Sequence, residues 1–185
     1  IKHMYTQQQR QVVTAMGKWL ASKSWDIFST ITYRHNINTN QINLLAKKIQ
    51  KPTVLYSNYK NETLENKSVF IIDCVGILSK IYNYAEIAYV GGGMGTSGLH
   101  NTLEAATFGV PIVIGKNYQK FPEAKDMLDK GGLFSIENHA TLQNTLDNLI
   151  ENPEIRKKLG RINKDYITHN KGASKIIMEK IKKLC

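Results

Sequence analysis

The stretch Tyr89-Val-Gly-Gly-Gly-Met-Gly-Thr-Ser-Gly-Leu-His-Asn-Thr-Leu-Glu-Ala-Ala-Thr-Phe-Gly-Val-Pro-Ile-Val-Ile-Gly115 decides the fold of this chain. An apolar run leads into three glycines, a polar turn follows, and a helical pattern opens near Gly98. A second apolar run comes after Gly109 and Pro111. This order predicts a strand, a glycine-rich loop, a helix and a second strand.

The loop has the chemistry of an anion site. Glycines between a strand and a helix let the backbone approach a ligand, and the first free N–H groups of a helix carry partial positive charge. The spacing matches neither of the two commonest phosphate-binding motifs. His100, Asn101 and Glu104 follow the loop at helical spacing, so we expect these side chains to converge at the mouth of the helix. The alternative is a tight turn beside a solvated polar face.

The composition suits a single domain with a substantial core. The chain has 185 residues, of which 42% are hydrophobic and 22% charged. No apolar run approaches the roughly 20 residues needed to cross a bilayer. Cys74 and Cys185 form neither a metal-site spacing nor a disulfide scaffold. These features favour a reducing cytoplasm as the location.

The positive charge is concentrated near the end of the chain. Residues Glu151 to Cys185 contain ten Lys or Arg and four Asp or Glu, which is +6 of the net +10. Such a segment is either a solvated surface or a contact for an anionic partner. The aromatic interleaving of single-strand binders is missing, so we expect an anionic membrane surface rather than nucleic acid.

The remaining pattern predicts alternating strands and helices. Residues 1–26 form a separate amphipathic segment, with a helix from Thr6 to Ser22. Residues 27–185 are predicted to form an α/β, Rossmann-like three-layer domain with a mostly parallel sheet of about six strands. Besides the central stretch, the predicted strands are 27–33, 53–57, 69–74 and 132–136, and the predicted helices are 40–50, 76–84, 139–150, 153–167 and 174–184. A loop is predicted at 58–67, and a second loop at 115–124 is predicted to enter a helix that ends at Lys130.

From about Tyr33 onward the chain resembles the carboxyl-terminal half of 3-deoxy-D-manno-octulosonic acid (Kdo) transferase, a glycosyltransferase of lipopolysaccharide assembly with the GT-B fold of two Rossmann domains. The forms of Bacteroidetes-like bacteria are the most similar. The resemblance is carried by five motifs: Arg34-His35, Val90-Gly-Gly-Gly, Gly98-Leu-His-Asn-Thr-Leu-Glu104, Gly109-Val-Pro111 and Gly115-Lys-Asn-Tyr-Gln-Lys-Phe-Pro-Glu-Ala124.

The resemblance implies a donor substrate, CMP-Kdo, held mainly by this domain without a cofactor or metal. It implies that the loop glycines approach the donor, that the amides of residues 96–99 with Asn101 hold its phosphate, and that Glu104 accepts hydrogen bonds from the ribose. Arg34 and His35 would border the cytidine or phosphate, and residues 116–118 would line the cleft toward the acceptor. The implied donor-binding residues are Arg34, His35, Gly91, Gly92, Gly93, Thr96, Ser97, Gly98, His100, Asn101, Glu104, Lys116 and Asn117.

Two departures from the family bear on function. Kdo transferases begin with an acceptor domain that supplies a carboxylate base and a membrane-facing patch, and about 30 unrelated residues stand in its place here. We therefore expect no catalytic base in this chain and no transfer by it alone; the acceptor, a lipid A precursor at the cytoplasmic face of the inner membrane, would contact the missing domain. Ala105 replaces a proline that is frequent in the family, which predicts a straighter helix.

Other functions stay open at this point. The same donor site would suit a non-catalytic nucleotide-sugar module, an enzyme half completed by a separate chain, or another GT-B glycosyltransferase or epimerase that uses uridine nucleotides. The segment Phe28 to Tyr33 is similar to the first strand of rolling-circle replication nickases. That chemistry needs a His-hydrophobic-His metal pair, which the five histidines do not form.

Overall fold

The computed structural model describes residues 28–29, 46–64, 66–74, 76–96 and 98–183. Several predictions lie outside these residues. They are the amphipathic helix at 6–22 within the separate segment 1–26, most of the strand at 27–33 and of the helix at 40–50, and the candidate site residues Arg34, His35 and Ser97.

The described strands form two parallel sheets. The larger sheet has four strands, in the order β1 (Phe28–Ser29), β4 (Ala88–Val90), β5 (Ile112–Gly115) and β6 (Leu133–Ile136). The smaller sheet pairs β2 (Thr53–Leu55) with β3 (Val69–Ile71).

The strand order is that of a Rossmann domain with one interruption. A continuous sheet would read 3-2-1-4-5-6. Here β3-β2 and β1-β4-β5-β6 follow that order, but within the described residues no pairing joins β2 to β1. The sequence predicts one sheet of about six strands, and the six described strands form two sheets. The smaller sheet is held by its own core, in which Val54 and Phe70 pack with Ile77 and Ile81.

Helices connect the strands, and most match the predicted positions. Besides a helical stretch at 46–48 and 3₁₀ turns at Tyr56–Asn61 and Tyr82–Tyr84, the described helices are α1 (Leu78–Ile81), α2 (Thr102–Thr107), α3 (Pro122–Asp129), α4 (His139–Glu151), α5 (Pro153–His169) and α6 (Ala173–Lys182).

The starts of these helices follow from local chemistry. Proline stands in the first turn of α3 and α5, where its missing N–H removes no helical hydrogen bond. Asn138 and Thr141 form a reciprocal capping box at the start of α4. The helix predicted to open near Gly98 begins instead at Thr102, because Asn101 caps it. The 3₁₀ turn Tyr56–Asn61 covers the end of the predicted strand 53–57 and the start of the predicted loop 58–67.

Strand β5 shows that helices cover both faces of the larger sheet. All its residues are buried, and successive side chains point to opposite faces. Ile112 and Ile114 join a cluster with residues of α2 and α3, whereas Val113 joins a second cluster with residues of α4 and α5. The predicted three-layer α/β architecture is confirmed.

Helices α2 and α5 cross at very short range. A Cβ on Gly160 would overlap the carbonyl oxygen of Gly109. Glycine at position 160 therefore allows the backbone of α5 to contact the backbone just after α2 directly. Asn163, fully buried on α5, donates from Nδ2 to the carbonyl oxygens of Val110 and Gly132, both at 2.7 Å. This side chain ties α5 to the segments that precede β5 and β6.

Candidate functional site

The glycine-rich loop after β4 turns back on itself. The backbone N–H of His100 donates to the carbonyl oxygen of Gly91 at 3.0 Å, which closes the loop at its base. Gly92 has φ +89°, and a Cβ there would overlap the carbonyl oxygen of Gly98. Because a side chain fits neither the conformation nor the space, position 92 requires glycine.

The loop is also fixed against the end of β5. A Cβ on Gly115 would overlap the backbone of Gly93, so the two segments pack backbone to backbone. Asn117 donates from its backbone N–H to Gly93 O at 2.8 Å and from Nδ2 to Gly95 O at 3.0 Å. Contacts within the protein thus account for glycine at 92, 93 and 115. The approach of Gly91, Gly92 and Gly93 to a donor stays a prediction.

A small pocket lies at the carboxyl end of β4. Its volume is about 190 Å³. Four of the predicted site residues line it together, namely Gly91, His100, Asn101 and Glu104. The remaining wall comes from Leu78, Tyr82 and Val90. The pocket therefore has an apolar side from α1 and β4 and a polar side from the start of α2.

The geometry of the polar side differs from the prediction in one respect. His100 precedes α2, so it does not share a helical face with Glu104 as expected. Asn101 is the cap of α2, with φ −65° and ψ 110°, and its Oδ1 accepts from the Leu103 N–H at 3.0 Å. The loop, rather than the helical repeat, brings His100 to the pocket.

Asn101 also positions the carboxylate of the pocket. Its Nδ2 donates to Glu104 Oε1 at 3.2 Å. Within the described part of the chain no lysine, arginine or histidine forms an ion pair with Glu104. Glu104 is partly buried, in the first turn of α2. The pocket thus presents an oriented carboxylate that can accept hydrogen bonds from a ligand.

Lys116 and Asn117 line a different cavity. This cavity, of about 690 Å³, runs along the edge strand β6 and is bounded on one side by residues 116–119. Both predicted residues are exposed. Asn117 links the larger cavity to the small pocket. Its hydrogen bonds hold the glycine-rich loop between Gly91 and His100, and both of these residues line the small pocket. Thr96 and Gly98 lie on that loop outside both linings.

Several lining residues were missed by the sequence analysis. Ser135 and Glu137 belong to the larger cavity and stand at the carboxyl end of β6. Open α/β sheets bind ligands at the carboxyl ends of their strands, and this rule could have found both residues. Tyr82 has no such signal, because a short 3₁₀ turn after α1 brings it to the pocket.

Among the described residues, no group of three or more His, Cys, Asp or Glu side chains is arranged to hold a metal ion. In the same residues no helix combines the length and apolarity required to cross a bilayer. Burial raises the pKa of the Tyr89 phenol, on the strand that leads to the loop, above its ordinary value.

The fold is similar to that of two proteins of known structure. The carboxyl-terminal CMP-Kdo binding domain of WaaA from Acinetobacter baumannii superposes with a TM-score of 0.66 at 19% identity, over 89% of this chain and 85% of that domain. The spinosyn forosaminyltransferase SpnP superposes with a TM-score of 0.53 at 15% identity, over 90% of this chain and 45% of that protein.

By sequence, the chain is similar to Kdo transferases. It is 26% identical over 176 residues to the 3-deoxy-D-manno-octulosonic acid transferase of Haemophilus influenzae, over 93% of this chain and 40% of that protein. It is 30% identical over 118 residues to the enzyme of Aquifex aeolicus, over 63% of this chain and 32% of that protein. No protein-family model matches the chain. The resemblance drawn from the motifs is confirmed, while its Bacteroidetes-like character stays a prediction.

The chain spans less than half the length of these relatives.

Proposed function

We propose that this chain is the donor-binding half of a Kdo transferase and that it binds CMP-Kdo at the carboxyl end of β4. One observation carries the proposal: in a chain similar in sequence to Kdo transferases, His100, Asn101 and Glu104 line one pocket beside the glycine-rich loop. Ligands of open α/β sheets bind at the carboxyl ends of the strands, which is where this pocket lies.

In this proposal Glu104 binds the ribose of the donor. Its carboxylate is acceptor-only when ionised, and a ribose offers two neighbouring hydroxyl donors. The hydrogen bond from Asn101 occupies Oε1 and leaves further acceptor positions on the carboxylate. The first role of Asn101 is therefore to cap α2 and to orient Glu104, and its contact with phosphate would use the second N–H of the same amide.

The phosphate would bind to the loop. The backbone amides of residues 96–99 are the proposed donors, and His100 stands beside them at the pocket wall. Hydrogen bonds from N–H groups stabilise the charge that develops on a phosphate leaving group. Arg34 and His35 would add positive charge on the cytidine or phosphate side. Lys116 and Asn117 would face the acceptor across the larger cavity.

The transfer itself needs a second domain. We propose that an acceptor domain supplies the general base and binds a lipid A precursor at the cytoplasmic face of the inner membrane, and that no metal or cofactor takes part. This chain would then contribute donor binding and stabilisation of the departing CMP, and it would bind the donor without transferring Kdo.

Calorimetry with nucleotide monophosphates tests this proposal. CMP titrated into the chain should give saturable heat, and CMP-Kdo should compete with it for one site. UMP is the matched control, because it differs from CMP only in the base. Heat with UMP but not with CMP would assign the pocket to a uridine-using glycosyltransferase or epimerase. Absence of heat with both nucleotides would remove the donor site from this chain.

A further inference from the structure

The glycine-rich loop carries one large apolar side chain that the fold leaves partly open to solvent. Met94 is 41% exposed, and the other exposed large apolar side chains among the described residues lie on α5 and α6. Its neighbours in the chain are Gly93 and Gly95, so no adjacent side chain covers it. Packing within the described part of the protein therefore does not explain why position 94 is apolar.

The backbone on both sides of Met94 is held in place. Asn117 donates from its backbone N–H to Gly93 O at 2.8 Å and from Nδ2 to Gly95 O at 3.0 Å. A Cβ on Gly115 would overlap the backbone nitrogen of Met94, so the two segments are in direct contact. A single exposed apolar side chain is ordinary on a protein surface. This one is distinguished by a fixed backbone, which presents the side chain at a defined position.

Met94 lies on the segment that links the two cavities. The loop runs from Gly91 to His100, which line the small pocket, and it is held by Asn117, which lines the larger cavity. Consecutive Cα atoms are about 3.8 Å apart, so the Cα of Thr96 is at most about 7.6 Å from that of Met94. Thr96 opens the run of amides proposed to hold the donor phosphate. The flexible side chain of Met94 is therefore within reach of the group attached to that phosphate.

We propose that Met94 packs against the carbon-3 methylene group of the Kdo residue and thereby favours a 3-deoxy sugar donor. In CMP-Kdo the phosphate is bonded to the anomeric carbon, and carbon 3 is the next carbon of the ring. A thioether side chain gives a methylene group dispersion contacts. A hydroxyl group at carbon 3 would lose water against Met94 without gaining a good hydrogen-bond partner. The inference rests on the proposed function, because it takes the phosphate to lie on the loop.

An acceptor domain is a poorer partner for this side chain. The centre of a protein–protein contact is apolar over many neighbouring residues. Met94 instead has glycine on both sides, and no other described residue of its loop exposes a large apolar side chain. An isolated apolar group of this kind matches one methylene group of a ligand better than the face of a domain.

Displacement calorimetry on the full chain tests the inference through the ratio of the CMP-Kdo affinity to the CMP affinity. Met94→Ser should lower this ratio about fivefold, because it removes apolar contact with the sugar and leaves the nucleotide contacts unchanged. Met94→Leu keeps an apolar side chain and should stay within about twofold of the wild-type ratio. Met178→Ser, at a 52% exposed methionine of α6, is the matched control and should change neither affinity.

A second ligand tests the contact with carbon 3 itself. The CMP ester of the same sugar acid with a hydroxyl group on carbon 3 should bind the wild-type chain about tenfold more weakly than CMP-Kdo, because the added hydroxyl group is left without a partner. Met94→Ser should narrow this difference, since serine can pair with the hydroxyl group. Equal affinity of the wild-type chain for the two esters would overturn the inference.

Two results with Met94→Ser would also overturn the inference while leaving the donor site in place. An unchanged ratio would leave the acceptor domain as the partner of Met94. An equal loss of affinity for CMP and CMP-Kdo would show that Met94 holds the loop and does not contact the sugar. A wild-type chain that binds neither ligand would overturn the proposed function together with this inference, so the two failures are distinguishable.

Discussion

The two ends of helix α2 are built in opposite ways. At its carboxyl end Gly109 contacts Gly160, and Asn163 is fully buried with its Nδ2 donating to two carbonyl oxygens. At its amino end His100, Asn101 and Glu104 line a pocket of about 190 Å³. Packing explains the residue types at the first end, whereas an oriented carboxylate beside an open pocket calls for a ligand at the second.

We propose that this contrast separates residues that hold the fold from residues that bind the donor. Substitutions at the carboxyl end should reduce stability and affect binding only through unfolding. Substitutions at the amino end should reduce binding and should cost at most about 1 kcal/mol of stability, at the helix cap Asn101. The predictions below test that separation, from the largest expected change in stability to the smallest.

Gly160→Val should have the largest effect. Its side chain would overlap the backbone of Gly109, so α5 must move away from α2. We expect a loss of about 3–5 kcal/mol in the free energy of unfolding, measured by urea denaturation. Gly95→Ala is the control, because a Cβ there meets no atom within 4 Å, and it should change stability by less than about 0.5 kcal/mol. Equal stability of the two variants would show that the helix crossing is not close packed.

Asn163→Ala should cost about 2–4 kcal/mol of stability, because it leaves the carbonyl oxygens of Val110 and Gly132 buried without this donor. Urea denaturation is again the measurement. Asn144→Ala, at an exposed position of α4, is the matched control and should be nearly neutral. A neutral Asn163→Ala would mean that water or a shifted backbone replaces both hydrogen bonds.

Asn101→Ala should cost about 1 kcal/mol of stability, the usual value of a helix cap. It should also weaken CMP binding, because Glu104 loses the amide that orients it. Asn101→Ser keeps a capping oxygen but has no donor to match Nδ2. Serine should therefore restore stability without restoring affinity, and recovery of both by serine would confine Asn101 to capping.

The sequence predicted β4, β5 and β6 because each is short, mostly apolar and adjacent to a glycine or proline. It placed the start of α2 too early, although Asn101 followed by Glu104 three residues later is a capping pattern. The prediction that His100 and Glu104 share one helical face is wrong for His100. Asn101 caps α2, so His100 lies before the helix begins.

Other features depend on tertiary contacts that no local pattern encodes. The crossing of Gly109 and Gly160 joins residues 51 positions apart, and Asn163 looks like any polar residue on a solvated helix. The division into two sheets also depends on tertiary contacts. Strands β2 and β3 pair with each other, and their buried side chains belong to a separate hydrophobic cluster. Tyr82 lines the pocket because it lies in a 3₁₀ turn, and no sequence pattern predicts that turn.

The central claim is that Glu104 belongs to a nucleotide site and not to the fold. Its most direct test is calorimetric titration of CMP into the wild type, Glu104→Gln and the matched control Glu151→Gln, an exposed acid at the end of α4. We predict that Glu104→Gln loses about 1–3 kcal/mol of binding free energy while its stability and the affinity of the control stay unchanged. A folded Glu104→Gln variant that binds CMP as tightly as the wild type would contradict the account.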